Sequence, residues 1–263
     1  MEPVTESRNR YNLRRALTLM ERDIKALEET DTHVLDQAVL KRCRVRALPL
    51  SLDADDSLTA KYFTSFAPEN MPAPTPGYVD REYNTDGLTL SSERGRLIYL
   101  YLQSYVRKLM MDFPEVQRTW SSNQIGDYNF GNLYRTLEPE FGTLSIIHVA
   151  NSHKPHIKCI MHNDLDVDDG HLLYGEIMTV IRIMLGQLKQ KVFVNHMIAP
   201  VLLFSMNRWH PRAIEAYFDG QELLIRRTKP YDFTFLNAAG LTTFAQWFLG
   251  DPIGDTSRGA VRT

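Results

Sequence analysis

Residues 171–190 read HLLYGEIMTVIRIMLGQLKQ, and the fold turns on them. Leu172, Leu173, Ile177, Met178, Val180, Ile181, Ile183, Met184, Leu185 and Leu188 cover most of the circumference of a helix. A helix that is apolar nearly all round has to be enclosed by other elements, so the pattern predicts a central helix over about 171–190. One narrow stripe breaks it: Gly175, Thr179, Arg182 and Gly186 lie at i, i+4, i+7 and i+11. An arginine in that stripe has to meet a carboxylate, a carbonyl or a ligand anion, because a buried unpaired guanidinium is very costly. Glu176 and Glu215 are the candidate partners. A close helix-on-sheet contact with an internal salt bridge is the plainer outcome, and a bound anion the sharper one.

Outward from this rod, the neighbouring segments read as strands. Leu144–Val149 and His156–His162 lie upstream, joined by a turn at Asn151–Pro155. Met197–Met206 lies downstream. Arg212–Phe218 and Glu222–Thr228 flank Asp219-Gly220, a strong hairpin signal. Helices bracket the set. One runs from Ser91 or Ser92 to about Phe113, with Leu97, Leu100, Tyr101, Ser104, Tyr105 and Leu109 as its buried face. The other runs over about Ala238–Leu249 and stops at Gly250. Hairpins at both ends predict an α+β fold: a mostly antiparallel sheet of about five strands around a central apolar helix.

The chain has 263 residues, and four stretches stand apart. Residues 1–50 carry an amphipathic helix over 9–30, with Tyr11, Leu13, Leu17, Leu19, Met20, Ile24 and Leu27 at roughly helical spacing, and a short helix near Val34–Leu40. Arg42, Arg44 and Arg46 alternate with Cys43, Val45 and Ala47, as in a strand with one cationic face or a helix exit. Residues 51–88 hold Pro68, Pro72, Pro74 and Pro76 and read as an acidic linker or surface excursion. Its aromatics Tyr62, Phe63, Phe66, Tyr78 and Tyr83 are too many for a solvated linker, so part of it should cross the core. Residues 89–250 form the core domain, and 251–263 a loose tail.

Composition sets aside several activities. A net charge of -2 gives no global field for nucleic acid or anionic membrane. Two cysteines, Cys43 and Cys159, make neither a disulfide framework nor a zinc pattern. The N-terminus lacks the apolar stretch of a secretory leader, and Ile177–Leu185 is too short to span a bilayer. The expected location is cytoplasmic or nuclear. No GxSxG, GxGxxG or GxxxxGK string is present.

The densest candidate site is HNDLDVDDGH, residues 162–171. Asp164, Asp166 and Asp168 occupy positions 1, 3 and 5 of a calcium-loop pattern, with His162 and Asp169 beside them as further ligands for Mg, Mn or Ca. The glycine falls at position 7 instead of 6 and Glu176 at 13 instead of 12, so the loop is one residue out of register. Acidic residues also gather before helices simply because a helix N-terminus is electropositive. Asp166–Asp169 forms a DxDD string, as in class II terpene cyclases, but in a chain too short for their double barrel. Seven of eight histidines lie between 148 and 210. His148 is placed to approach His156 or Lys158 across the predicted hairpin, though hydrogen-bonded or exposed histidines are the commoner case. Lys158 and Glu176 imitate the lysine–glutamate pair of a protein kinase, without the other kinase motifs. The element order also resembles that of PD-(D/E)XK nucleases, but His156 stands where their acidic ligand belongs, so at most a degenerate relative is implied. Arg212, Arg226, Arg227 and Lys229 suggest a small, solvated basic face.

GEIMTVIRIMLGQL (175–188), HMIAPVLLFS (196–205) and EAYFDGQELLIRRTKPYDF (215–233) resemble a family of filamentous ascomycete proteins without an assigned activity. The resemblance implies a fungal protein and carries over no catalytic residues. The leading expectation is a non-catalytic binding or protein-interaction module, using the sheet face with His156 and Lys158 plus the acidic turn. Two alternatives stand beside it. One is a divalent-metal enzyme acting on phosphoesters or nucleic acid, using the acidic turn with Lys158, Glu176 and Arg182. The other is a small-molecule biosynthetic enzyme with an apolar pocket under the aromatics of 62–83.

Overall fold

The computed structural model describes residues 6–53, 58–67, 69, 71–75, 78–79 and 81–257. Part of the expected 51–88 excursion and the end of the expected tail lie outside the described residues. In chain order the elements are α1 (Arg8–Lys25), β1 (Val34–Leu35), α2 (Gln37–Arg42), β2 (Val45–Pro49), α3 (Ser91–Asp112), α4 (Val116–Thr119), β3 (Trp120–Ser122), β4 (Tyr134–Arg135), β5 (Phe141–Val149), β6 (Ile157–Asn163), β7 (Leu172–Leu173), α5 (Tyr174–Lys189), β8 (Val201–Asn207), β9 (Arg212–Phe218), β10 (Leu223–Arg227) and α6 (Ala238–Leu249). Side chains start several helices: Ser7, Asp36 and Asn237 accept from Arg10 N, Val39 N and Gly240 N.

The main sheet has eight strands, ordered β2-β10-β9-β8-β6-β5-β3 with β4 also beside β5. It is mixed, which corrects the expectation of a mostly antiparallel sheet of five. β8 lies parallel to β6, and β2 parallel to β10. The reason is α5. A strand, a helix and a strand in sequence form a crossover, and the helix carries the chain back so that the second strand runs with the first. β1 and β7 form a separate two-stranded ribbon. The β9–β10 turn is held by Asp219, whose carboxylate accepts from Gln221 N and Glu222 N at 2.8 Å, and Gly220 supplies a φ of +102°.

Side-chain alternation gives the sheet two apolar faces. Ile157, Cys159, Met161, Val201, Leu203, Ile214 and Ala216 meet α5, with α1 packed against it through Leu13, Leu17, Met20 and Ile24. α5 is buried along nearly its whole length, as its sequence requires. Ile160, Leu202, Phe204, Met206 and Ala213 form the other face, beneath α3, α6 and the 60–66 segment. Tyr62 and Phe63 are each 1% exposed, so this part of the proline-rich stretch does cross the core.

Two predicted helix faces are rotated. On α3 the buried stripe is Ile98, Tyr101, Leu102, Tyr105, Val106 and Leu109; Leu97, Leu100 and Ser104 are only half-buried. On α1, Tyr11 and Leu19 point outward, while Arg10 is buried. Among the described residues no helix is long and apolar enough to cross a membrane.

Candidate functional site

The carboxyl ends of parallel strands are the usual place for a site in an open sheet. Here β6 and β8 end on Asn163 and Asn207, below the start of α5. Asn163 Nδ2 donates to Ser205 Oγ at 2.9 Å, and Ser205 Oγ to Asn207 Oδ1 at 2.8 Å. Arg212 Nε and Nη2 grip Glu176 at 2.9 and 2.5 Å. Glu176 also caps α5 by accepting from Leu173 N at 2.8 Å. Both members of the pair are about 1% exposed or less, so it works as a buried clamp. Arg212 therefore does not belong to a solvated basic face. A third donation, to His171 O at 3.0 Å, ties the acidic turn to the sheet.

The acidic turn spreads its carboxylates apart. Asp164 Oδ1 lies 3.6 Å from Arg208 Nε; Asp166 reaches His210 at 3.0 Å and Arg208 at 3.5 Å. Asp168 turns back on Gly170 N at 2.7 Å and His171 Nδ1 at 2.6 Å. The His171 bond, followed by the Gly170 amide, holds the Asp168 carboxyl below its ordinary range. Asp169 is exposed. His162 leans away from the turn, with Nε2 3.6 Å from Glu140 Oε1, and burial pulls its pKa down to about 4. Among the described residues no group of three or more His, Cys, Asp or Glu side chains is arranged to hold a metal.

Lys158 lies on the opposite face of the sheet from Glu176, so the two do not pair. Its Nζ donates to Phe248 O at 2.9 Å and to Gly250 O, and lies 4.0 Å from the centroid of the Trp120 ring. It thus caps the electronegative end of α6. Burial drives its pKa well down, against a smaller opposing pull from Asp251. His156 donates to Ile253 O at 2.9 Å, and Glu215 accepts from Lys61 N and Tyr62 N at 2.8 and 2.7 Å. These three buried polar groups clamp the loops that cover the sheet. The expected working face bearing His156 and Lys158 is closed to solvent. His148 points to the other side of the sheet from both. Arg182 finds Glu21 of α1 at 3.0 Å, rather than Glu176 or Glu215, and also reaches Asn132 O.

An open site lies elsewhere. A groove of about 460 Å³ runs between α3 and the β3 end of the sheet. One wall is a single stripe of α3: Tyr99, Leu102, Gln103, Val106, Arg107 and Met110, at i, i+3, i+4, i+7, i+8 and i+11. Ile147 and Ile160 form the floor, Phe248 and Leu249 close one end, and Ser121 and Ser122 border it on β3. Gln103 donates to Tyr99 Oη at 2.8 Å along the wall. Arg107 is the only charged side chain lining the groove among the described residues. β3 is the last strand of the sheet, so among the described residues its outer edge has no strand beside it. Sequence reasoning missed this site. The available signal was that α3 carries more apolar residues than one buried face uses. No protein-family model, curated protein or solved structure matches this chain.

Proposed function

We propose that the protein is a non-catalytic interaction module that takes an extended, apolar peptide segment carrying an acidic group into the α3–β3 groove. One observation carries this reading: a strand whose outer edge is unpaired among the described residues borders an apolar groove whose far wall is a helix. Strand addition at such an edge supplies backbone hydrogen bonds, and the groove receives alternate side chains. The α3 stripe spans eleven residue steps, about 16 Å at the helical rise, which matches roughly five residues of extended chain. Arg107 fits a carboxylate at one end of that segment. A metal-dependent enzyme loses support, because among the described residues the acidic turn's carboxylates form no three-ligand cluster, lying instead against Arg208, His210 and His171, and Lys158 is held by carbonyls.

The test is a display library of random peptides, followed by fluorescence anisotropy on synthetic copies of the enriched sequences. Apolar sequences with one acidic position are expected. Arg107→Glu should weaken them about tenfold, the loss of roughly one charge-assisted contact. Met110→Lys should abolish binding. Enrichment of no sequence class, or binding indifferent to both changes, removes the reading. If only small apolar acids bind, the groove is a small-molecule pocket instead.

A further inference from the structure

On the α5 side of the sheet lies a second cleft, of about 300 Å³, between the 123–129 loop and the carboxyl end of α5. Its lining differs in kind from that of the groove. Four carboxamides line it with Asp127 and His148: Asn123 and Asn129 are exposed, while Gln190 Nε2 donates to Gln187 Oε1 at 2.5 Å and the buried Gln187 Nε2 to Pro155 O at 3.3 Å. Lys189 offsets Asp127 in charge at the rim, so neither an anion nor a cation is favoured overall. Carboxamides both donate and accept, which suits hydroxyl groups, since these do the same.

The histidine is held by a chain of contacts that runs through Tyr128 to the core residue Phe130. Tyr128 Oη and His148 Nδ1 are 2.7 Å apart. The phenol oxygen accepts from Asn123 N at 3.2 Å, and its ring stacks on Phe130 at 4.9 Å. Phe130 sits there only because residue 186 is glycine: a Cβ would come within 2.0 Å of its ring. The phenol proton has two acceptors in reach, Ile146 O at 3.5 Å and His148 Nδ1 at 2.7 Å, and the much shorter contact assigns it to Nδ1. Burial lowers the His148 pKa, so the imidazole is neutral. Its proton is then on Nε2, which has no hydrogen-bond partner among the described residues.

We infer that this cleft binds a neutral saccharide unit, with His148 Nε2–H donating to a sugar hydroxyl and Asn123, Asn129 and the Gln190 carbonyl oxygen bracketing its neighbours. The apolar groove and this polar cleft lie on opposite faces, so each stands or falls alone. The lower end of known ligand-site volumes is about 300 Å³, which suits a small unit. The source is a free sugar or the terminal unit of a glycan.

The experiment follows the His148 ring Cε1–H signal by NMR while methyl glycosides of glucose, mannose, galactose and N-acetylglucosamine are titrated through the millimolar range. At least one should shift the signal saturably. Asn129→Ala and Gln190→Ala change exposed residues, so they should leave the fold intact and each weaken that glycoside several-fold, about one net hydrogen bond. Met110→Lys in the groove should leave it unchanged. An array of immobilised neutral glycans then separates the sources: glycans that bind at least tenfold more tightly than the matching methyl glycoside indicate an attached chain, and equal affinity a free sugar. If no glycoside moves the His148 signal, or if the two alanine variants bind as tightly as the parent chain, the inference is overturned.

Discussion

The two faces of the sheet are closed by different means. On one, α5 lies directly on the strands, apolar on nearly every side, and a buried arginine secures each end. Arg212 grips Glu176 at its start. Arg10 of α1 donates to Leu188 O, His196 O and Phe193 O at its finish. On the other face α6 is shorter, and the remaining area is covered by α3 and by a loop that Glu215, His156 and Lys158 hold in place. The first face packs against its helix and leaves only a small polar cleft at the helix's carboxyl end, whereas the second leaves the larger, apolar groove. A helix greasy all round fills the space above a sheet, while a helix with a second apolar stripe leaves that stripe to be covered by something else.

The sharpest way to break this contrast is at the clamp. Arg212→Met leaves Glu176 buried without its cation and should cost about 3–5 kcal/mol of unfolding free energy in urea. Adding Glu176→Leu should recover much of that loss. If the single change costs under about 1 kcal/mol, the solid face does not depend on its ion pair.

On the groove face, Lys158→Met removes hydrogen bonds to two carbonyls but strands no charge, so the expected loss is smaller, about 1–3 kcal/mol. A loss as large as that of Arg212→Met would mean that the two faces are secured alike.

Acid sensitivity should come mainly from the groove face as well, since His148 on the α5 side is shifted less. His156 and His162 both lie on that side, with burial lowering their pKa values to about 3 and about 4. Each is neutral when folded and takes a proton when unfolded below its ordinary value near 6.5. Stability is therefore complete above about pH 6.5 and falls as the pH drops, by up to about 1.4 kcal/mol per unit for each histidine. Unfolding curves between pH 6.5 and 5, above the main carboxylate range, should show this slope. His156→Gln and His162→Gln should each flatten it, and a slope unchanged in both variants would place the sensitivity elsewhere.

The smallest effect is expected in the groove wall. Met110→Lys should change stability by no more than about 1 kcal/mol, since the residue is half-buried against the core beside the groove, while removing peptide binding. A large destabilisation would show that the stripe belongs to the core.

The order of the long elements was legible because each carries a clear period: the apolar rod of α5, the Asp219-Gly220 hairpin, and α6 ending at Gly250. The remainder was hidden for physical reasons. β1, β3, β4 and β7 have two or three residues each, too few to show alternation. β2 is a short strand following Arg44, whose φ of +55° ends the preceding turn, and its partner β10 lies far along the chain. The acidic turn and Lys158 drew notice through charge, yet proximity in sequence did not place them on one side of the sheet. Arg212 looked like one of several solvated arginines because nothing local marks it as the partner of Glu176. The groove stayed invisible because choosing one buried face for α3 discarded the other.

The reach of Arg10 has a consequence for how the protein is made. It is synthesised well before the three carbonyls it serves, which belong to residues 188–196. Until that stretch emerges, the guanidinium has only Glu6, one helical turn away, and α1 has no rod to lie against. Docking of α1 therefore waits for the chain through about residue 196, and a chain interrupted before it leaves the stripe of Leu13, Leu17, Met20 and Ile24 uncovered.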